Sequence, residues 1–374
     1  MSPNPSLLAA ADYAPFRARK YFASLDGLRC LSILAVIWHH TRPAALTYPA
    51  ILQHGYLGVD LFFVISGFLI TTLLLRERED LGGISLKRFY IRRTLRIFPL
   101  YYSVLLIYVV MVVLFDRHSP AGRAFFTNLP YFATYSSNWF VTLSNDRVIL
   151  YFVWSLAAEE QFYLLWPTVE KRLGSTGAVL FMVALLALVT AALAGATDGA
   201  LHPGSLAHTI VTRFPVPIGL GVLLAHLLNA PRGYQWTSLV FGRRMSAPLA
   251  MILLGVTIGQ ASPAPWAIYL AMTALVATAV MREDHLLAPL LRWRPIVHVG
   301  VVSYGMYLLH MLSYNVAHRV LNRLGITRPL MPFFATVAVA IAAATLSYRY
   351  YESFFLRLKK RFAPDRAAPP VRTV

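Results

Sequence analysis

Ten runs of roughly twenty predominantly apolar residues follow one another along the chain. A helix needs about 20 such residues to cross hydrocarbon, so this succession leaves few alternatives to a membrane fold. The runs lie near 23–42, 56–75, 97–115, 150–169, 177–196, 208–229, 247–262, 264–281, 295–318 and 331–351. Charged residues are 13% of the 374, against about 25% in a soluble domain. A surface facing water could not be covered from that supply. The fold class expected is all-α, a polytopic transmembrane helical bundle of about ten spans.

The net charge of +18 points to a membrane rather than to nucleic acid, because the basic residues cluster between apolar runs. About 24 Lys and Arg fall on one side of the ten runs and about 7 on the other, among them Arg147. The positive-inside rule makes the richer side cytoplasmic, with both termini there. Cys30 is the single cysteine, so neither a disulfide framework nor a cysteine-rich metal site is expected. Residues 1–20 are polar and carry Pro3, Pro5 and Pro15 before Arg17, Arg19 and Lys20. No apolar core with a small-residue cleavage site follows, so no cleaved signal peptide is expected. The domain reading is a cytoplasmic tail over 1–22, one transmembrane domain over 23–352, and a cytoplasmic tail over 353–374. The composition around Pro369 and Pro370 is that of a disordered segment. The aromatic stretch 125–140 suits an interfacial or re-entrant segment, since Tyr and Trp favour the headgroup level. SPAP at 262–265 reads as a turn.

Ionisable side chains in apolar runs are costly, and they mark function or a buried pair. The first run holds Asp26, Arg29, His39 and His40. On a helix Arg29 and His40 come within about 20° of one face, roughly 16 Å apart, while His39 turns about 100° away. The second run carries Asp60 with Gly55, Gly58 and Gly67, where Asp60 could pair with a buried cation. A connection from Arg76 to Arg96 follows, rich in basic residues, with Arg93 and Arg96 adjacent on a helical face. Arginine's planar fork suits phosphate; the same residues would also anchor the chain at anionic lipid. Glu159 and Glu160 diverge by about 100°, so at most one of them enters a common site. His310 and Glu352 end the SYGMYLLH and YRYYE segments, and either could be structural.

Taken in order, these segments resemble acyltransferase family 3, the multi-span bacterial enzymes that O-acylate surface sugars and natural products. LDGLR followed by His40 is similar to the family's first-span arginine and histidine, and GVDLFFVISGFLI to its second-span block. FYIRRTLRIFP carries the paired arginines, here Arg93 and Arg96, and WSLAAEEQFYLLWP and SYGMYLLH resemble later landmarks. Residues 175–290 match only in being hydrophobic. One departure is Phe354, where the family usually has proline two residues after Glu352. Some relatives carry a further periplasmic esterase-like domain, so a stand-alone form is expected here.

The resemblance implies an enzyme of the bacterial inner membrane. It would transfer an acyl group, acetyl by default, from cytoplasmic acyl-CoA to a hydroxyl of a carbohydrate or lipid-linked glycan. Arg29, Arg92, Arg93 and Arg96 are the candidate donor-binding residues, with Arg29 alternatively paired to an acid. His40 is the candidate general base, with Glu160 or Asp60 as orienter, and an acyl-histidine relay is the other route. No metal is implied. Membrane lipid and a possible homodimer complete the partners. The rival reading is a secondary transporter whose midplane charges bind solute, although no inverted repeat is visible.

Overall fold

The structure is a computed structural model that describes residues 12–43, 46–142 and 148–362. The tails up to residue 11 and from 363, with Pro369 and Pro370, lie outside the described residues, as does Arg147. Every regular element among the described residues is helical. Four helical stretches are long and apolar enough to cross a membrane: Gly55–Leu81, Leu86–Phe115, Tyr151–Leu193 and Met331–Lys359. The number rises to seven if three bent helix pairs each count as one span. Leu106, Leu114, Phe115, Leu164 and Leu180 are all more than 60% exposed, as lipid-facing side chains would be.

Contacts divide the chain into two compact units, one of Met1–Leu69 with Val216–Tyr348, the other of Ile70–Pro215 with Arg349–Val374. The first is built around the helix Ala23–Thr41. Two glycines let other backbones press against that helix. A Cβ on Gly300 would lie 1.9 Å from the Asp26 carbonyl oxygen, and one on Gly27 would lie 2.4 Å from that of Leu291. Gly67 and Gly221 play the same part between the Gly58–Leu81 and Val216–Asn229 helices, where added Cβ atoms would meet carbonyl oxygens at 2.1 and 2.2 Å. An apolar core of Leu25, Leu28, Val64, Phe68, Leu224 and Met272 fills the space. Within the expected tail, Tyr13–Ala18 is helical and Phe16 is fully buried against Tyr234, ring centroids 5.0 Å apart.

In the second unit the expected connection over Arg76–Arg96 shrinks to residues 82–85, because helix runs through Leu81 and resumes at Leu86. Its charges stay helical because partners within the unit satisfy them. Arg78 pairs with the fully buried Glu170 at 2.9 Å, and Arg92 with Glu77 at 3.0 Å. Ser85 caps the second helix by accepting from the Arg88 N–H at 3.4 Å. The aromatic stretch forms the helices Pro120–Ala133 and Ser137–Phe140. Tyr101 and Tyr102 donate to the carbonyls of Phe132 and Ala133 at 2.7 and 2.9 Å, and Tyr101 stacks on Tyr135 at 4.3 Å. The helix Trp154–Leu193 takes in two of the ten apolar runs and is kinked between them at Gly174, where φ is 67°. Positive φ is a conformation that glycine adopts without steric cost.

Candidate active site

The helix Ala23–Thr41 is unbroken from Asp26 to His40. At its start Arg29 Nη1 donates to Asp26 Oδ1 at 3.1 Å, an i,i+3 ion pair with the Asp26 side chain 4% exposed. The Tyr21 hydroxyl also donates to Asp26. Burial and that hydrogen bond together push the Tyr21 phenol above its usual pKa. Arg29 is thus held by its own helix.

The other end carries the two adjacent imidazoles, and they part company. The His39 ring lies 5.6 Å from that of Tyr56, which the glycine-tight approach of Gly55 to Ala35 and His39 brings alongside. His40 instead meets His310, ring centroids 4.8 Å apart, with His40 Nδ1 3.2 Å from His310 Nε2. His310 is fully buried on the Ser303–Arg323 helix. Backbone carbonyls fix both tautomers, because a carbonyl can only accept. His310 Nδ1–H donates to Tyr307 O at 2.5 Å, so its Nε2 carries a lone pair. His40 Nδ1–H donates to Val36 O at 2.9 Å and faces that lone pair, which leaves His40 Nε2 as its basic nitrogen. Sequence reading passed over His310 as a partner; its position at the end of SYGMYLLH was the available signal.

Asp60 belongs to the same unit, with Tyr56 and Tyr269 as its electrostatic neighbours. Among the described residues its side chain makes no hydrogen bond or ion pair, whereas the His310 side chain is hydrogen-bonded to His40.

The second unit holds the other candidates. The Arg93 guanidinium lies over the Tyr163 ring at 5.0 Å and the Phe89 ring at 5.7 Å, and it interacts electrostatically with Glu160 and Glu159. Tyr163 donates to Glu159. Arg92 is bound to Glu77 and to the Phe362 carbonyl, each at 3.0 Å. Arg96 makes no hydrogen bond or ion pair among the described residues. Of the three, Arg92 is neutralised, Arg93 is balanced by the two glutamates, and Arg96 keeps an uncompensated charge. That set fits an anionic ligand. Among the described residues no three His, Cys, Asp or Glu side chains gather as metal ligands.

Comparison with known proteins decides the family. Residues 22–351 match the acyltransferase family 3 profile, described as an acyltransferase domain. The chain belongs to acyltransferase family 3. Curated relatives include a Staphylococcus aureus protein named "Putative O-acetyltransferase", 28% identical over 92% of this chain and 58% of its own. The peptidoglycan O-acetyltransferase OatA of Listeria monocytogenes is 28% identical over 90% of this chain and 56% of its own. A Bacillus subtilis relative named "Putative peptidoglycan O-acetyltransferase YrhL" is 29% identical over 80% of this chain and 49% of its own. The chain therefore spans about half the length of these relatives. No solved structure matches. Every candidate residue from Asp26 to His310 falls inside the family match, whereas Glu352 and the last helix, Ser353–Lys360, lie beyond it.

Proposed function

We propose that this chain is an integral membrane O-acyltransferase that moves an acyl group, acetyl by default, from acyl-CoA to a hydroxyl of a carbohydrate. The observation that carries the reading is the imidazole pair, in which two backbone carbonyls and His310 leave His40 with a basic Nε2. The proton of the carbohydrate acceptor's hydroxyl passes to that nitrogen as the hydroxyl oxygen attacks the thioester carbonyl. Collapse of the tetrahedral adduct breaks the carbon–sulfur bond, and the thiolate leaves and recovers the proton from His40. Arg93 and Arg96 bind donor phosphate, with Glu160 setting the position of the Arg93 fork. Asp60 is assigned as a hydrogen-bond acceptor for a neighbouring hydroxyl of the carbohydrate and Arg29 as a support for the His40 helix. Because two relatives carry peptidoglycan in their names, a cell-wall glycan is the first acceptor to try.

The proposed topology is one membrane domain of ten spans over 23–352 in the bacterial inner membrane, with both termini cytoplasmic, which places the arginines on the side where CoA is found. A reporter active only outside the cytoplasm, fused after residue 360, stays silent on this reading; strong reporter activity there rejects it. The direct test of function is purified protein with labelled acetyl-CoA and a soluble glycan fragment. Label transferred to glycan with equimolar CoA release supports the proposal, and absence of both in active-quality protein refutes it. Label trapped on the protein before acceptor is added would replace the general-base step by an acyl-histidine relay.

A further inference from the structure

The end of the chain runs back along the arginine helix in the second unit. The Tyr351 hydroxyl sits 2.8 Å from Ser103 Oγ and donates to the Pro99 carbonyl at 3.2 Å. At the other end of the same segment the Phe362 carbonyl accepts from Arg92 Nη1 at 3.0 Å. Chain numbers therefore rise from 351 to 362 as those of the Leu86–Phe115 helix fall from 103 to 92, an antiparallel register. The helix Ser353–Lys360 lies between these two attachments and packs on the arginine helix. That register carries Lys359, partly buried, near enough to Arg92, Arg93 and Arg96 to interact electrostatically with each.

Four cations have been gathered where repulsion is strengthened by partial burial. Glu77 compensates Arg92, and Glu159 and Glu160 face Arg93. Arg96 and Lys359 have no ion-pair partner among the described residues. An anion with several acceptor oxygens relieves that repulsion, and a phosphate accepts from a guanidinium fork and an ammonium together. We propose that Lys359 of the last helix joins Arg93 and Arg96 in binding a phosphate group of the acyl donor. The inference rests on the acyl-CoA reading and adds to it a residue beyond the family match. An anionic lipid headgroup offers the same phosphate chemistry, so the test separates the two sources.

The full chain is titrated with CoA by calorimetry in neutral detergent, then in nanodiscs of phosphatidylcholine with and without phosphatidylglycerol. Lys359→Ala should weaken CoA binding about tenfold or more, Lys359→Glu further, and Lys359→Arg only about threefold. Each loss should be the same with and without phosphatidylglycerol. If Lys359→Ala melts below the wild type, Lys359→Met, which keeps the apolar stem, takes its place. Equal CoA affinity in wild type, Lys359→Ala and Lys359→Glu overturns the assignment. So does a Lys359→Ala protein that keeps its CoA affinity but loses phosphatidylglycerol binding, since the phosphate is then the lipid's. A wild type that binds no CoA in any medium refutes the donor reading itself, and the Lys359 assignment falls with it.

Discussion

The two units treat their polar groups in opposite ways. In the first, His40 and His310 are neutral-compatible rings whose nitrogens are hydrogen-bonded to each other and to the carbonyls of Val36 and Tyr307. In the second, Arg93, Arg96 and Lys359 bring positive charge together faster than the neighbouring acids remove it. A fixed, internally satisfied pair is suited to moving a proton in one direction at one atom. An under-compensated cluster is suited to holding something from outside the protein. On the proposed function the difference separates two jobs, chemistry and binding, and each job should then fail separately.

The sharpest attempt to break that separation is at His40. His40→Ala should lower acyl transfer by about 10²–10⁴-fold while leaving CoA affinity within about threefold of wild type. His310→Ala should cost less, because the ring of His40 keeps its hydrogen bond to the Val36 carbonyl and loses only the His310 lone pair that its Nδ1–H faces. His39→Ala should keep measurable activity, since that ring turns to Tyr56. Steady-state rates with acetyl-CoA, set beside calorimetric CoA affinity, check all three. A dead His39→Ala beside an active His40→Ala would reverse the assignment.

How far this was readable beforehand depends on range along the chain. Apolar runs located the helices, because the need for about 20 residues across hydrocarbon is local. The placement of His39 and His40 on different sides of one helix was also a local matter of rotation. The partner of His40 was not, since His310 lies 270 positions away and its register depends on how Ser303–Arg323 packs. The stretch Arg76–Arg96 read as a connection because its charges looked solvent-bound; Glu77 and Glu170 instead supply ion-pair partners within the helical unit. Lys359 stood in a polar tail with no motif, and only the antiparallel return past Ser103, Pro99 and Arg92 reveals it. The six-residue π-helical stretch Ser347–Glu352 was equally invisible, although such stretches often mark functional sites.

A middle-sized effect tests the binding side. Arg93→Ala with Arg96→Ala should weaken CoA affinity by about a hundredfold or more, each arginine contributing a charge-assisted contact of about 1.5–3 kcal/mol. Lysine at both positions should restore only part, for want of the bidentate fork. Arg92→Ala should behave differently, because it leaves Glu77, with its side chain 4% exposed, short of its ion-pair partner. The expected loss there is in stability, about 1–3 kcal/mol, with CoA affinity among folded molecules changed less than in the double variant. Thermal unfolding and CoA titration on the same preparations separate the outcomes. If Arg92→Ala loses CoA affinity as strongly as the double variant at unchanged stability, the division among the three arginines is wrong.

The smallest effect concerns His285, a buried histidine of the first unit that lies outside the imidazole pair and shows what a structural one does. It lies in the connection after Pro265–Met281, 1% exposed, with Nε2 2.9 Å from Ser24 Oγ. Burial, then the nearby Arg292, lowers its pKa from 6.5 to about 4, against a smaller opposing pull from Asp284. The unfolded chain therefore binds the extra proton first as pH falls. Stability from this group is fully present above about pH 6.5 and is lost on acidification toward pH 4. The slope is bounded by about 1.4 kcal/mol per pH unit. Asp284 loses stability in the same direction but at lower pH, because its hydrogen bond to Arg282 holds its carboxyl below the usual 3.8. His285→Gln should flatten the unfolding midpoint between pH 6.5 and 4 relative to wild type while leaving acyl transfer at neutral pH within about twofold. A His285→Gln protein with unaltered pH dependence of unfolding and a lost transfer rate would make this ring part of the chemistry and erase its contrast with His40.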